Sequence, residues 1–226
     1  MDYKTGDVIY ANPLATKEDV ADFRLEGDAC ITFPRECMRL EQAYERDPEK
    51  KLHANFVLWC PKDFPDDIAV SWDFTPRSDA GLAMFWMSAA GRNGEDLFDP
   101  VLAPRSGDYA QYHSGDINAY HISYYRRNPG EINFQTCNLR KSFGFHMACQ
   151  GADPLPGSRD AKGPYRIQAI KCGAQVRFSI NGLEIFDWED DGRAYGAVLG
   201  GGKIGFRQMA GLVADYANLE VRSVTT

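Results

Sequence analysis

The sequence predicts an all-β protein built as a sandwich of two antiparallel sheets, with at most a minor helix. Short segments in which apolar and polar residues alternate recur along most of the chain, and this period of two is typical of half-buried strands. Turns rich in glycine, proline and asparagine separate these segments. Many short strands without long helical patterns favour two packed sheets.

The one helical pattern lies near the beginning of the chain, over residues 16–23. Thr16 is placed to cap the first turn, and Glu18 and Asp19 fall within that turn, where acidic side chains interact favourably with the helix dipole. We therefore expect one short helix before the sheets begin.

The clearest strand patterns follow in the middle and the C-terminal half. Residues 68–74 and 165–171 alternate, whereas residues 81–90 are continuously apolar and predict a central strand that is covered on both faces. Two more strands are predicted over 203–207 and 214–221.

A β-hairpin is the strongest local prediction. Residues 175–180 and 183–188 flank Asn181-Gly182, and Asn-Gly suits a type I′ turn between antiparallel strands. Residues 151–164 are predicted to form a long loop rather than a domain boundary, because strands continue after them. We expect residues 1–226 to form a single domain.

Composition excludes several classes of function. The chain has 226 residues and a formal net charge of −7, which argues against a nucleic-acid or anionic-membrane partner. The N-terminal residues lack the features of a signal peptide, and no apolar run approaches the roughly 20 residues of a membrane span. We expect a cytoplasmic protein whose six cysteines are buried free thiols, and without a CxxC pair no zinc site or other cofactor is predicted.

Residues 113–146 carry the richest chemistry of the chain. Between His121 and His146 the sequence contains four basic residues and a single acidic residue, Glu131. The four basic residues are Arg126, Arg127, Arg140 and Lys141. A local cationic patch in an acidic protein, together with tyrosines and amides, indicates a pocket for an anionic, hydroxyl-rich ligand. A sugar that contains uronic acid is the leading candidate.

Strand alternation groups these residues. A strand over 120–127 places His121, Ser123, Tyr125 and Arg127 on one face. A neighbouring strand over 134–141, which begins at Phe134, sends Thr136, Asn138 and Arg140 to its polar face. His146 is expected to join this group at the edge, and a β-bulge would exchange Tyr125 for Tyr124.

Longer motifs resemble a known family. They cover nearly the whole chain: GEDLFDP at 94–100, YHSGDINAYHISYYRR at 112–127, TCNLRKSFGFH at 136–146, GADPLP at 151–156, FSINGLEIFDW at 178–188 and GKIGFRQM at 202–209. They resemble the YesU family, bacterial proteins of unknown function. The resemblance implies a concanavalin A-like jelly-roll β-sandwich, whose concave sheet face holds the saccharide. It also implies a pectin setting, because the family's namesake is associated with a gene set that degrades rhamnogalacturonan.

The predicted group suits cleavage of a uronate glycoside by β-elimination. A base removes the proton next to the carboxylate, cations stabilise the developing enolate, and an acid protonates the leaving oxygen. We assign His121 and Tyr125 as base and acid, with His146 and His113 as further catalytic candidates. The predicted substrate-binding residues are Arg127, Asn138, Arg140, Arg207, Asp116 and Trp86, although burial in the core is the preferred interpretation of Trp86.

Other interpretations stay open. Hydrolysis would need two carboxylates, but Glu95, Asp96 and Asp99 form E-D-x-x-D rather than the ExDxxE of glucanase relatives. These acids are better explained as ordering their loop, and a metal role for Asp96, Asp99 or Asp116, such as a structural calcium, is a minor alternative. A non-catalytic carbohydrate-binding protein, a keto-sugar hydrolase, a homodimer, and a plain ion-paired surface remain alternatives.

Overall fold

The computed structural model describes residues 3–43, 55–128 and 135–225 of the chain. Glu131 and Phe134, which entered the predictions above, lie outside these ranges. The strands of the first half are β1 (Lys4–Asn12), β2 (Arg24–Gly27), β3 (Ala29–Thr32), β4 (Met38–Gln42), β5 (Phe56–Trp59), β6 (Ile68–Pro76) and β7 (Gly81–Gly91). Those of the second half are β8 (Ile117–Arg127), β9 (Thr136–Ser142), β10 (His146–Ala152), β11 (Tyr165–Cys172), β12 (Gln175–Ile180), β13 (Leu183–Glu189), β14 (Lys203–Met209) and β15 (Ala214–Thr225).

These strands form two antiparallel sheets, which confirms the predicted β-sandwich. Within the described ranges, one sheet has eight strands in the order β13-β12-β11-β6-β15-β4-β3, with β1 paired to β15. The other has seven strands in the order β10-β9-β8-β7-β14-β5-β2. Strands β8 and β9, which carry the residues predicted to bind a ligand, are neighbours in the seven-stranded sheet.

The predicted hairpin is confirmed. Strands β12 and β13 pair up to Ile180 and Leu183, and the two residues between them have positive φ angles, 50° at Asn181 and 77° at Gly182. Positive φ at both central positions is the requirement of a type I′ turn. The Asn181 side chain also accepts a hydrogen bond of 2.7 Å from the backbone N–H of Arg166, which ties the turn to β11.

The predicted N-terminal helix is reduced to one 3₁₀ turn, Glu18–Val20. The Asp19 carboxylate accepts hydrogen bonds from the backbone N–H groups of Ala15 and Thr16, at 2.9 and 2.8 Å. The acid therefore organises this segment as a turn, and Thr16 is not a helix cap. One short α-helix, α1 (Ala110–His113), is found within the described ranges, in the connection between β7 and β8.

Large aromatic side chains fill the space between the sheets. Trp72 of the eight-stranded sheet packs against Phe85 of the seven-stranded sheet with ring centroids 4.4 Å apart, and Phe206 contacts both rings. All three are buried. Burial of one such side chain stabilises the fold by roughly 1.5–3 kcal/mol, so these contacts fix how the two sheets pack.

Strand β7 is covered on both faces, as its continuous apolar run predicted. Ala83, Phe85 and Met87 belong to the core between the sheets. Met84 and Trp86 belong to a second apolar cluster on the opposite face. We call that opposite face, which points away from the eight-stranded sheet, the outer face of the seven-stranded sheet.

The six cysteines are free thiols, as predicted, but only three of them (Cys60, Cys137 and Cys172) are buried, so the predicted burial is wrong for the other three. Among the described residues, the structure contains no helix that is both long and apolar enough to span a membrane. The predicted loop over 151–164 begins later than expected, because strand β10 continues to Ala152.

Candidate functional site

Two rows of side chains cross the outer face of the seven-stranded sheet. Residues paired directly across antiparallel strands lie on the same face. The first row is Gly205, Trp86, His121 and Arg140, and the second is Arg207, Met84, Ser123 and Asn138. The structure thus brings together five of the predicted site residues: Trp86, His121, Asn138, Arg140 and Arg207.

Segment 92–116, the connection between β7 and β8, covers half of this face. Its Leu97 and Tyr112 are buried against Trp59 and Trp86 of the sheet. Arg105 forms an ion pair of 2.8 Å with Glu26 of β2, and both side chains are buried. Because Glu26 also accepts a hydrogen bond of 2.9 Å from Trp59 Nε1, the segment is fastened to the sheet by charge as well as by apolar packing.

His121 lies beneath this segment. Its side chain is 1% exposed, its ring centroid is 4.2 Å from that of Trp86, and its Nε2 is 2.9 Å from the Tyr109 hydroxyl. Burial lowers the pKa of His121 well below its usual value, and the nearby charges of Arg140 and Arg207 lower it further. The imidazole is therefore neutral, and Tyr109 separates it from any ligand on the sheet.

Arg207 is also covered by the segment. Its guanidinium lies over the rings of Tyr109 and Tyr112, at 4.9 and 5.2 Å, and Nη2 donates a hydrogen bond of 2.9 Å to the Gly107 carbonyl. Burial lowers the pKa of Arg207 to about 10. Arg207 Nε and Nη1, His121 Nδ1 and Trp86 Nε1 have no hydrogen-bond partner among the described residues.

Tyr125 is not on the outer face, so this part of the predicted grouping is wrong. A register shift follows Gly81 in the pairing of β7 with β8, and Tyr125 has a φ of 46°. This bulge turns its side chain into the core, where the hydroxyl donates to the Ser78 carbonyl at 2.9 Å and to Asp79 at 3.0 Å. Tyr124 also lies in the core, so the bulge does not bring either tyrosine to the site.

The bulge displaces Arg127 as well, which corrects the second assignment on this strand. Arg127 is buried and forms an ion pair of 2.6 Å with Asp153, and it also donates to the Leu155 carbonyl. Its guanidinium lies 4.3 Å from the ring centroid of Tyr125. These contacts give Arg127 a structural role in fastening the loop after β10.

Arg126 was counted in the cationic patch but assigned to the other face of the strand, and it lies where its neighbours were predicted. Its Nη1 donates a hydrogen bond of 2.6 Å to Thr136 Oγ1 and lies 2.9 Å from the side-chain amide of Asn138. Burial and the charge of Arg140 lower its pKa. Strand alternation alone puts Arg126 on the core side, and only the bulge reverses this.

Arg140 and two aromatic rings complete the accessible half of the outer face. The Arg140 guanidinium is 3.9 Å from the ring centroid of Phe145, which is 37% exposed, and the His113 ring is 4.2 Å from Phe145. Arg140 makes no ion pair with any residue that the structure describes. We call Arg126, Arg140, Asn138, Gln150, Phe145 and His113 the outer-face patch; Gln150 donates a hydrogen bond of 2.8 Å to Asn138.

His113 contributes a neutral imidazole to this patch. Burial lowers its pKa, and the charges of Arg140 and Arg207 lower it further. Its Nδ1 is 2.7 Å from the Ser114 hydroxyl. A neutral imidazole beside a guanidinium has the protonation state that a general base requires near neutral pH.

The acids of the 92–116 segment order their own loop, as the sequence favoured. Asp116 accepts a hydrogen bond of 2.6 Å from the Ala103 N–H, Asp99 one of 2.9 Å from Val101, and Asp96 one of 2.7 Å from Phe98. Asp116 therefore stabilises segment 92–116 and does not face the outer-face patch. Across the described ranges, no group of three or more His, Cys, Asp or Glu residues is arranged to hold a metal ion.

His146 does not join the patch. It pairs with Lys141, the residue after Arg140, so its side chain points to the opposite side of the sheet. Its ring stacks on Tyr195 at 4.6 Å and lines a cleft of about 780 Å³ at one end of the sandwich.

Two antiparallel sheets with a cationic and aromatic patch on one outer face define a concanavalin A-like β-sandwich, the class that the sequence predicted. The chain belongs to the family described as a domain of unknown function, DUF1961, which matches residues 7–221. The resemblance to the YesU family is thereby confirmed.

Known proteins support this membership. The chain is 53% identical over 220 residues to the uncharacterized protein YesU of Bacillus subtilis, covering 97% of each chain. A crystal structure of a protein of unknown function with a galectin-like fold, also from Bacillus subtilis, superposes with a TM-score of 0.93 at 52% identity and covers 99% of each chain. A carbohydrate-binding module of Bacillus subtilis has a TM-score of 0.55 at 10% identity, with 89% of this chain and 95% of that chain covered, and shares the fold alone.

Proposed function

We propose that this protein binds a short acidic oligosaccharide on the outer-face patch. The observation that carries the proposal is that two partly exposed guanidinium groups, those of Arg126 and Arg140, lie near each other on one sheet face, with the buried Asn138 beside Arg126. Each guanidinium is partly buried, and its pKa is lowered by that burial. A carboxylate placed between them would offset two like charges and form charge-assisted hydrogen bonds.

The remaining patch residues suit the rest of a sugar. The exposed amide of Gln150 can donate to and accept from hydroxyl groups, and the buried Asn138 holds the Gln150 and Arg126 side chains in place. Phe145 is 37% exposed beside Arg140 and His113, and its exposed part can contact the C–H groups of a pyranose. Fold neighbours such as the carbohydrate-binding module are named for the same class of ligand. The ligand we favour is a uronate-containing fragment of the pectin or rhamnogalacturonan type.

Cleavage by β-elimination is the second candidate, and it now rests on His113. The base and acid assigned from the sequence are not together, because His121 is covered and Tyr125 lies in the core. His113 is neutral and lies beside Arg140. In this mechanism His113 takes the proton next to the carboxylate, the electron pair forms the new C=C bond, the C–O bond to the leaving sugar breaks, and water protonates the leaving oxygen.

Calorimetry with a matched set of sugars tests the binding proposal. We would titrate the protein with oligogalacturonides and with neutral galacto-oligosaccharides of equal length. We expect binding of the acidic set only, weakened by added salt, and at least tenfold weaker after Arg140→Ala. Arg222→Ala, on the other sheet, is the control and should bind like the unmodified protein. Equal binding of neutral and acidic sugars, or full affinity in Arg140→Ala, would overturn the proposal.

Product analysis tests the elimination candidate separately. New ultraviolet absorbance of a conjugated uronate, together with chain cleavage seen by mass spectrometry, is expected for elimination, and His113→Gln should abolish it while binding remains. Addition of water without new absorbance would indicate hydrolysis instead. Binding with unchanged sugars would identify a non-catalytic binding protein.

A further inference from the structure

A second concave site lies away from the outer-face patch. The cleft of about 780 Å³ is bounded by the end of β7, the beginning of β8, the end of β9 and residues 194–201. Its volume falls within the ~300–1,000 Å³ typical of small-molecule sites. We propose that this cleft binds a second carboxylate-bearing sugar; the ligand class rests on the proposed function, but the site does not share the residues of the patch.

The charge of the cleft favours an anion. Its lining includes Arg92, Lys141 and His146 and contains no aspartate or glutamate. A cleft lined by basic but not by acidic side chains is unusual in a chain with a net charge of −7. Lys141 is paired with Asp190, but Arg92 is exposed and forms no ion pair within the described part of the chain. Arg92 is therefore the available cation.

Aromatic rings stand at the mouth of the cleft. The Arg92 guanidinium lies 3.8 Å from the ring centroid of Phe143, which is 38% exposed. This repeats, on the other side of the β9–β10 turn, the contact of Arg140 with Phe145. The stacked rings of His146 and Tyr195 line the cleft as well and offer a flat surface for a sugar ring.

One polar side chain in the lining of the cleft lacks a hydrogen-bond partner. Ser142 is buried, and its hydroxyl has no hydrogen-bond partner among the described residues. Such groups are uncommon in folded proteins and call for a ligand or a water. Nearby, Gly196 and Gly200 have open space where a side chain would be, so their backbone groups are accessible.

The wall of the cleft is held in place before any ligand arrives. The buried Lys141 ammonium donates to Asp190 at 2.6 Å, to the Gly196 carbonyl at 2.8 Å and to the Ala197 carbonyl at 2.7 Å. The backbone N–H of Leu199 donates to the Tyr120 hydroxyl at 3.1 Å. A preformed wall lowers the ordering cost of binding.

Amide chemical shifts test the site directly. We would titrate ¹⁵N-labelled protein with D-galacturonate, and with D-galactose as its neutral counterpart. We expect galacturonate, but not galactose, to shift the amide signals of Gly196, Gly200 and Gly201. Arg92→Ala should weaken this response about tenfold, and Ala197→Trp, which fills the cleft, should remove it. Arg193→Ala removes a neighbouring charge that does not line the cleft and should leave the response unchanged.

The same titration keeps the two proposals apart. Arg140→Ala should abolish shifts around Asn138 and Phe145 while the three glycine signals still respond. Absence of any response at these glycines in the unmodified protein, or an equal response to galactose, would overturn the cleft site and leave the outer-face patch standing. Absence of shifts at the patch alone would overturn the proposed function instead.

Discussion

The Tyr109 hydroxyl lies 2.9 Å from Nε2 of His121, and this contact closes the segment between β7 and β8 over the middle of the sheet. Tyr109 itself is partly buried, and burial raises its pKa to about 12, so it stays a neutral phenol. The pair joins two uncharged groups in a dry region that also contains the Arg207 charge. Protonation of His121 is therefore coupled to the stability with which segment 92–116 packs on the sheet.

We predict that His121 makes the protein less stable as the pH falls below about 6.5. The folded pKa of His121 is depressed, so below the unfolded value of about 6.5 the unfolded chain binds a proton that the folded protein does not. The contribution of the neutral His121 to stability is fully present above that pH. Below it, the free energy of unfolding falls by at most about 1.4 kcal/mol per pH unit. Urea unfolding at several pH values between 7.5 and 5 measures how the free energy of unfolding depends on pH. We expect a slope on the order of 1.4 kcal/mol per pH unit.

The variant His121→Phe should flatten this slope while keeping a ring against Trp86. His113→Gln is the matched control and should remove a smaller part, because the pKa of His113 is lowered less strongly. An unchanged slope in His121→Phe would show that another group carries the pH dependence.

Tyr125→Phe should lower stability by about 0.5–1.5 kcal/mol and leave sugar binding unchanged. The substitution removes the hydrogen bonds to Ser78 and Asp79 but keeps the buried ring. Thermal unfolding and calorimetry with oligogalacturonides measure the two effects. Loss of binding without loss of stability would place Tyr125 in the site after all.

Arg105→Met should destabilise the protein by about 3–5 kcal/mol, because it leaves Glu26 buried without its partner. The double variant Glu26→Gln/Arg105→Met should recover much of this loss, since no unpaired charge remains. Urea unfolding gives the free energies, and tryptophan fluorescence reports the surroundings of Trp59. If the double variant were as unstable as the single one, the segment would depend on the pair for more than charge compensation.

Lys141→Met should cost a similar amount, about 3–5 kcal/mol, because Asp190 stays buried without a cation. It should also weaken the galacturonate response of the cleft, since the Gly196 and Ala197 carbonyls lose their donor. Lys162→Met, on an exposed loop, is the control and should change neither quantity. Normal stability in Lys141→Met would contradict a cross-linking role for this lysine.

The correct predictions from the sequence rested on local residue patterns. The Asn181-Gly182 hairpin depends only on two residues that tolerate positive φ, and the alignment of His121 with Arg140 depends only on strand alternation and adjacency. Strands such as β1 were missed because most of Lys4–Asn12 is exposed, so no alternating pattern marks it.

The errors arose where tertiary contacts decide the backbone. Tyrosine does not favour positive φ, and Tyr125 is held there by hydrogen bonds to residues 46 and 47 positions away. No local sequence pattern predicts such a bulge. The covering role of segment 92–116 was hidden for a similar reason, because Leu97 and Tyr112 follow no strand or helix period and find their partners only in the folded sheet.

The connection between two adjacent strands decides how much of the sheet a ligand can reach. Strands β7 and β8 pair up to Gly91 and Ile117, so a tight turn could have joined them. Instead, the longer connection occupies the area over Trp59, Trp86 and Arg207. A shorter connection would uncover this part of the outer face, but it would also leave the buried Glu26 without Arg105 and remove His113 from the outer-face patch.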